Sequence, residues 1–377
     1  MKTLRDIQYL EGVRVLLRVD FNVPVQAGAV TDDFRIRKAM PTIDFLRSKG
    51  AKVIMMSHLE SIGGEDGSLE PVAKHLERMG APVMFVRSLR SAGDLIDNEL
   101  KNGQCMLLEN LRQNEGEKAN DLKFAKELAS LADIYVNDAF SVSHREHASI
   151  AGVPKFLPSY AGLGLEKEVK SLSLAFDPGH PFLFILGGAK FETKLPLLTK
   201  FLASADAVFV GGALSNDFFK ARGYEVGVSL VSKGNIDLGV FLQSPKLLIP
   251  VDITNQKGEI KDADALSSDD KIMDSGPKTM EALQKKIDEA KFILWNGPLG
   301  LYEDGYRGPT VELARMIGEV APRGATTIIG GGDTLAAVAT LGIEDKFTFV
   351  STGGGAMLDF LAKGTLPGIE ALDESKA

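Results

Sequence analysis

The sequence predicts an α/β protein built from two parallel, doubly wound sheet domains, and three observations carry that prediction. Short β-prone runs alternate with amphipathic stretches along the chain. In the first block those runs end in charged residues, and in the second most end in glycines. The chain has 377 residues, more than the ~250–300 at which one hydrophobic core stops growing, so two domains are expected.

In the first block, residues 13–20 read as a buried strand that Phe21-Asn22-Val23-Pro24 ends. Asp20 and Asn22 fall at its C-terminal end, the edge where open α/β sheets keep their ligands, although an Asx turn before a proline would also account for them. Residues 31–37 open a helix with acidic caps. Cations are disfavoured at a helix N-terminus, so Arg35 or Arg37 is expected to have an anion to meet. Further strands are predicted at 52–58, with His58 at the tip, at 83–86, in the stretch 105–112, with Arg112 just past the strand's end, and at 132–140, followed by Ser143-His144-Arg145. Helical stretches such as 122–131 lie between them. A parallel sheet puts all its strand ends on one edge. Asp20, Asn22, Arg35, His58, Arg112 and Arg145 should converge there as a pocket for a small polyanion.

Prolines and glycines over 154–165 break the alternation, and 166–176 read as an amphipathic helix joining the two domains. The second block then begins with the strand 181–186 and its exit Gly187-Gly188-Ala189-Lys190. Lys190 and Lys194 share a face if that turn is helical, but Pro196 argues for a main helix that starts later. Residues 207–210 lead into Gly211-Gly212, and 246–250 form another strand. Residues 292–295 lead into Asn296-Gly297-Pro298-Leu299-Gly300, with Glu303 close behind. Residues 326–329 run into Gly330-Gly331-Gly332-Asp333-Thr334 and a helix-forming Leu335-Ala336-Ala337. Free amides at such a strand-to-helix turn suit phosphate, and glycine lets the phosphate approach them. Asp333 offers a hard oxygen for Mg²⁺, although a capping aspartate explains this stretch alone equally well. A second copy of the pattern, at Val350-Ser351-Thr352-Gly353-Gly354-Gly355-Ala356, tips the reading towards phosphate.

Composition narrows the function classes. Apolar residues make up 44% and charged residues 25%, as in ordinary globular proteins. The net charge of −8 argues against nucleic-acid binding, so any anion site must be a local basic cluster. A single cysteine, Cys105, excludes an internal disulfide. No apolar leader or membrane-length run is present, which predicts a cytoplasmic protein with no membrane partner. The phosphate-binding motif G-x-x-x-x-G-K-[ST] is absent, and position 335 is Leu where a dinucleotide fingerprint needs glycine. Neither G-x-S-x-G nor H-E-x-x-H occurs. The residues therefore describe a Mg²⁺-nucleotide enzyme whose two domains bring a small polyanion and a nucleotide together.

Several motifs together resemble the phosphoglycerate kinase family, in its order and over nearly the whole chain. They are Arg18-Val19-Asp20-Phe21-Asn22-Val23-Pro24, Ser57-His58-Leu59, Glu109-Asn110-Leu111-Arg112, Asn137-Asp138-Ala139-Phe140, His144-Arg145, Leu186-Gly187-Gly188-Ala189-Lys190, Trp295-Asn296-Gly297-Pro298, Gly330 to Thr334 and Ser351 to Ala356. The resemblance implies two Rossmann-like domains joined by a helix and hinge. Residues 1–160 would bind phosphoglycerate, 161–177 would form the interdomain helix, and 178–360 would bind the nucleotide. The tail 361–377 would pack back on the first domain. The implied reaction is reversible phosphoryl transfer from 1,3-bisphosphoglycerate to Mg-ADP, giving 3-phosphoglycerate and ATP, in a monomer.

By matching position, Asp20, Phe21, Asn22, Arg35, His58, Leu59, Arg112 and Arg145 would hold phosphoglycerate. Gly187, Lys190, Lys194, Gly211, Gly212, Asn296, Pro298, Glu303, Gly331, Gly332, Asp333 and Thr334 would serve the nucleotide, with Asp333 on the Mg²⁺. Arg35, Lys190, Gly332 and Gly354 would act on the migrating phosphoryl group. The chain departs from the family at Glu60-Ser61, where Gly-Arg is usual, and at Gln113, where an aromatic is usual. The missing arginine should weaken the grip on the substrate phosphate, with Glu60 solvated on its loop and Arg37 the nearest cation able to compensate. Readings from other classes are a dehydrogenase, which NAD binding would reveal, and a non-catalytic hinged anion-binding protein, which an ATP-formation assay would separate.

Overall fold

The computed structural model describes residues 1–60, 67–233 and 237–375, and these fall into two compact units. Ser61 lies outside the described residues.

The first unit comprises Met1–Lys170 together with the chain from Lys363 onward. Its strands are β1 (Arg14–Arg18), the short hairpin β2 (Val25–Gln26) and β3 (Ala29–Val30), β4 (Lys52–Met56), β5 (Val83–Val86), β6 (Cys105–Leu108), β7 (Ile134–Asn137) and β8 (Ser159–Ala161). Apart from the hairpin they form one parallel sheet in the order β5-β6-β4-β1-β7-β8. Its central strands are continuous apolar runs because both faces are covered: Val15, Leu16, Leu17 and Val53 to Met56 are fully buried. The chain moves outward from β1 through β4 to β5, returns to β6, and then crosses to β7 on the other side of β1. This reversal makes the crevice beyond β1 and β7 the expected ligand position.

The hairpin and β8 carried no sequence signal, since both are too short for a periodicity and β8 follows two prolines. The helix predicted from 166 begins earlier, at Leu163, and ends at Ser173 with a 3₁₀ turn over Leu174–Phe176. Its early start has a local cause. The buried Asp138 carboxylate accepts the amides of Gly164 (2.7 Å) and Leu165 (3.1 Å). A Cβ at Gly162 would stand 2.3 Å from that carboxylate, so the position requires glycine. The C-terminal helix Pro367–Asp373 belongs to this unit, with the Gly368 amide on the Ser143 carbonyl at 2.8 Å.

The second unit, Ser171–Ala362, contains β9 (Phe182–Leu186), β10 (Ala207–Val210), β11 (Leu247–Leu248), β12 (Asp252–Asn255), β13 (Ile260–Asp262), β14 (Ile272–Ser275), β15 (Phe292–Asn296), β16 (Thr326–Gly330) and β17 (Phe349–Ser351). Six of them form a second parallel sheet, ordered β11-β10-β9-β15-β16-β17, whose direction of travel reverses between β9 and β15. The antiparallel sheet β13-β12-β14 was not predicted. Its segment is charged and turn-rich, and a polar network organises it. Asp270, with no exposed side-chain area, accepts Lys261 Nζ (2.8 Å), the Ser267 amide (2.8 Å) and Asn255 Nδ2 (2.9 Å). The helix after β9 starts at Phe191 and runs through Pro196 to Ser204, so the later start expected from Pro196 is corrected. Pro196 lies on the exposed face, as does Glu192, whose carbonyl loses its partner, so water can satisfy it.

Candidate functional site

The C-terminal edge of the first sheet gathers the basic residues. Asp20, just past β1, accepts Arg35 Nη1 at 2.8 Å and is also bonded by the Ser141 hydroxyl, which follows β7. Its other oxygen caps the Asn22 amide at 3.0 Å. Both helix-start arginines do meet anions, because Arg37 pairs with Asp33 at 2.8 Å. Arg37 is thereby committed to a surface pair. Phe21 and Leu59 lie in the hydrophobic core, so their side chains support the edge from beneath. Arg112 is buried down to 2% of its side chain, and its Nε and Nη2 have no partner among the described residues. Its Nη1 pairs with Glu60, so Glu60 is not a solvated loop residue as expected.

Behind this edge lies a relay that sequence reasoning missed. Glu117, fully buried, accepts the Ser149 hydroxyl at 2.6 Å and the Ser149 amide at 2.9 Å. Ser149 Oγ accepts Arg18 Nε at 2.9 Å, and Arg18 Nη2 lies 3.1 Å from His58 Nδ1. Arginine only donates, so Nδ1 must accept and the proton of neutral His58 sits on Nε2. Burial holds His58 well below the ordinary imidazole range, and the charges of Arg18, Arg112, Arg145 and Arg35 lower it further. Burial, then Arg145 and Arg18, pushes Arg112 down to about 10. These are the electrostatics of clustered, buried positive charge, which favours an anion. The available signal was Arg18 itself, a cation fully buried at the end of the strand Arg14–Arg18.

In the second unit the strand exits surround a cavity of about 800 Å³. Its walls include Lys190, Lys194, Asn296, Pro298, Glu303, Gly331, Gly332, Asp333 and Gly354. Thr193, Tyr302, Asp304, Leu358 and Asp359 also line it, and no motif marked them. Gly187, Gly211, Gly212 and Thr334 do not line this cavity; the three glycines pack beside it backbone to backbone and Thr334 bonds through its side chain. The Gly187 amide donates to the Asn296 carbonyl (2.8 Å) and the Gly188 amide to the Pro298 carbonyl (2.9 Å). Buried Thr334 Oγ1 accepts the Gly297 amide at 3.0 Å. A Cβ on Gly187 would stand 2.1 Å from the Pro298 carbonyl oxygen.

The helix Gly332–Leu341 has no side-chain cap, and Gly331 before it adopts φ +106°. Its first amides therefore lack intrahelical partners and face the cavity, as an anion site requires. Among the described residues nothing bonds the Asp333 carboxylate, so it is no helix cap.

Lys194 is 92% buried and donates from Nζ to the Gly187 carbonyl. Burial lowers its pKa to about 8, Lys190 lowers it too, and Asp333 opposes the shift. Between about 8 and the ordinary 10.5, the unfolded chain keeps a proton that the folded chain has lost. Stability conferred at this position should therefore rise with pH across that window. Thermal melts of the ligand-free protein, compared with Lys194→Met, should show this rise as a difference between the two profiles. Parallel profiles from pH 8 to 10.5 would reject the depressed pKa.

A family model described as phosphoglycerate kinase matches residues 4–364. The phosphoglycerate kinase of Dictyoglomus turgidum is 44% identical over 396 residues, covering 99% of this chain and 99% of that protein. That of Thermosipho africanus is 44% identical over 397 residues, covering 99% of this chain and 98% of its own length. Among solved structures, phosphoglycerate kinase from Coxiella burnetii superposes with a TM-score of 0.85 at 36% identity, covering 99% of each chain.

Proposed function

Because the chain belongs to the phosphoglycerate kinase family, we propose how its residues divide that family's phosphoryl transfer between the two units. The chain is a phosphotransferase with a carboxyl group as acceptor, and a glycolytic kinase. It exchanges a phosphoryl group reversibly between 1,3-bisphosphoglycerate and ADP, giving 3-phosphoglycerate and ATP. In this reading residues 1–160 with the tail 361–377 hold phosphoglycerate, 161–177 connect, and 178–360 hold the nucleotide. The observation that carries it is Arg112, buried beside Arg145 and Arg18 with two donors unpaired among the described residues. Buried donors are normally satisfied, and an anionic substrate would satisfy these.

The acceptor carboxylate is already ionised at neutral pH, so no general base is required. The protein's work is to position the reactants and to neutralise charge. Arg35 and Lys190 supply cations to the migrating group, and amides come from the helix start at Gly332 and from Gly354, which precedes the helix Gly355–Lys363. His58 donates its Nε2 proton to phosphoglycerate as a neutral group. The unbonded Asp333 carboxylate on the cavity wall fits Mg²⁺, which commonly takes one or two protein carboxylates together with substrate phosphates. When bound, the ion would neutralise phosphate charge. We further place the protein in the cytoplasm as a monomer; among the described residues no helix is long and apolar enough to cross a membrane.

Asp333→Asn keeps the side-chain shape and removes its charge. Calorimetry should show weaker Mg-nucleotide binding and unaltered 3-phosphoglycerate binding. Equally tight nucleotide binding would remove Asp333 from the metal site.

A further inference from the structure

We propose that Glu60 is a built-in competitor for the phosphoglycerate site: its carboxylate occupies Arg112 in the free enzyme and must be displaced for substrate to bind. The inference rests on the reading of Arg112 as a substrate-binding cation.

Both partners are held in place by their backbones. The Glu60 amide donates to Asn22 Oδ1 at 3.0 Å. The preceding carbonyl, that of Leu59, accepts Asn110 Nδ2 at 2.8 Å. The same Asn110 side chain accepts the Arg112 amide at 3.1 Å, so one residue fixes both ends of the pair. Only the two side chains remain to adjust.

Their environments are unequal. The Arg112 side chain is 2% exposed and that of Glu60 48% exposed. A buried guanidinium loses much when left without an anion, whereas a half-exposed carboxylate regains its hydration on release. Glu60 engages Nη1, leaving Nε and Nη2 without partners among the described residues. A phosphorylated carboxylic acid brings more oxygens and more charge than one glutamate, so it can take the open donors as well as the occupied one. A small monoanion cannot gain as much and would not displace Glu60. The side chain thus sets a threshold that favours multiply charged ligands, at a cost in affinity for all of them. One charge-assisted hydrogen bond given up on exchange corresponds to roughly tenfold in affinity.

The test is 3-phosphoglycerate binding, measured by calorimetry on the wild type, Glu60→Gln, Arg112→Ala and the double variant. Glu60→Gln preserves shape and surface position, and a thermal melt confirms folding. Its Kd for 3-phosphoglycerate should fall about tenfold, while the Kd for ADP stays the same. Arg112→Ala should weaken 3-phosphoglycerate binding, and adding Glu60→Gln to it should bring no further gain. An unchanged or higher Kd in Glu60→Gln alone, with Arg112→Ala still weak, overturns the competitor and leaves the site standing. Undiminished binding in Arg112→Ala overturns the site assignment, and the competitor with it.

Discussion

Arg35→Ala should lower kcat by about 10²–10³-fold, a loss of about 2.7–4 kcal/mol in transition-state stabilisation, while KM changes much less. The expectation comes from how Arg35 is held. It is the second residue of the helix Phe34–Ser48, where a cation gains nothing from the helix dipole. Asp20 takes its Nη1 at 2.8 Å, and Asp20 is itself fixed by the Ser141 hydroxyl and the Asn22 amide. One arm of the guanidinium is therefore anchored, and about a third of the side chain remains exposed. An anchored, partly open cation is organised in advance for charge that develops during transfer, and this effect acts on kcat. Arg35→Lys should rescue poorly, because a point charge cannot both hold Asp20 and present a planar fork. Steady-state kinetics in both directions measures the effect. An unchanged kcat in Arg35→Ala removes Arg35 from the transferring group.

The legible and illegible parts of this chain differ in how they are stabilised. The two six-stranded sheets were readable because their central strands are buried on both faces, which turns Val15-Leu16-Leu17 or Phe182 to Leu186 into unbroken apolar runs. The strand tips were readable because a parallel sheet must end its strands on one edge, whatever the packing elsewhere. Strand β8 was not, since three residues after a proline make no pattern, and its place is set by pairing with β7. The antiparallel sheet was not, because Asp270 and its hydrogen bonds organise that segment and apolar period does not. The same limit applies within the site. His58 and Arg112 were visible at their strand tips, but the relay from Glu117 through Ser149 and Arg18 joins residues far apart in the chain. Glu60 was visible as an oddity, and its partner was not, because Arg112 lies 52 residues away and only the folded edge joins them.

Gly297→Ala should destabilise the second unit by roughly 3–5 kcal/mol, the sum of a strained backbone and an enforced close contact. Gly297 adopts φ +95°, and a Cβ there would lie 2.4 Å from the Gly187 carbonyl oxygen. Neither neighbour can give way cheaply. The Gly297 amide is tied to Thr334 Oγ1 at 3.0 Å and its carbonyl to Trp295 Nε1 at 2.8 Å. Gly187 is tied in turn to the Asn296 carbonyl at 2.8 Å. A domain is stabilised by only ~5–15 kcal/mol in total, so this loss should show as an early calorimetric transition and as lost nucleotide binding. Binding of 3-phosphoglycerate, which draws on residues of the first unit, should persist below that transition. Gly305→Ala is the control: it has nearly the same backbone angle, φ +94°, but nothing within 4 Å of the added Cβ. It should cost only the strain, about 1–3 kcal/mol. Equal destabilisation by the two substitutions would mean that the contact between the β9 and β15 exits yields, and that close packing is not what holds the cavity floor.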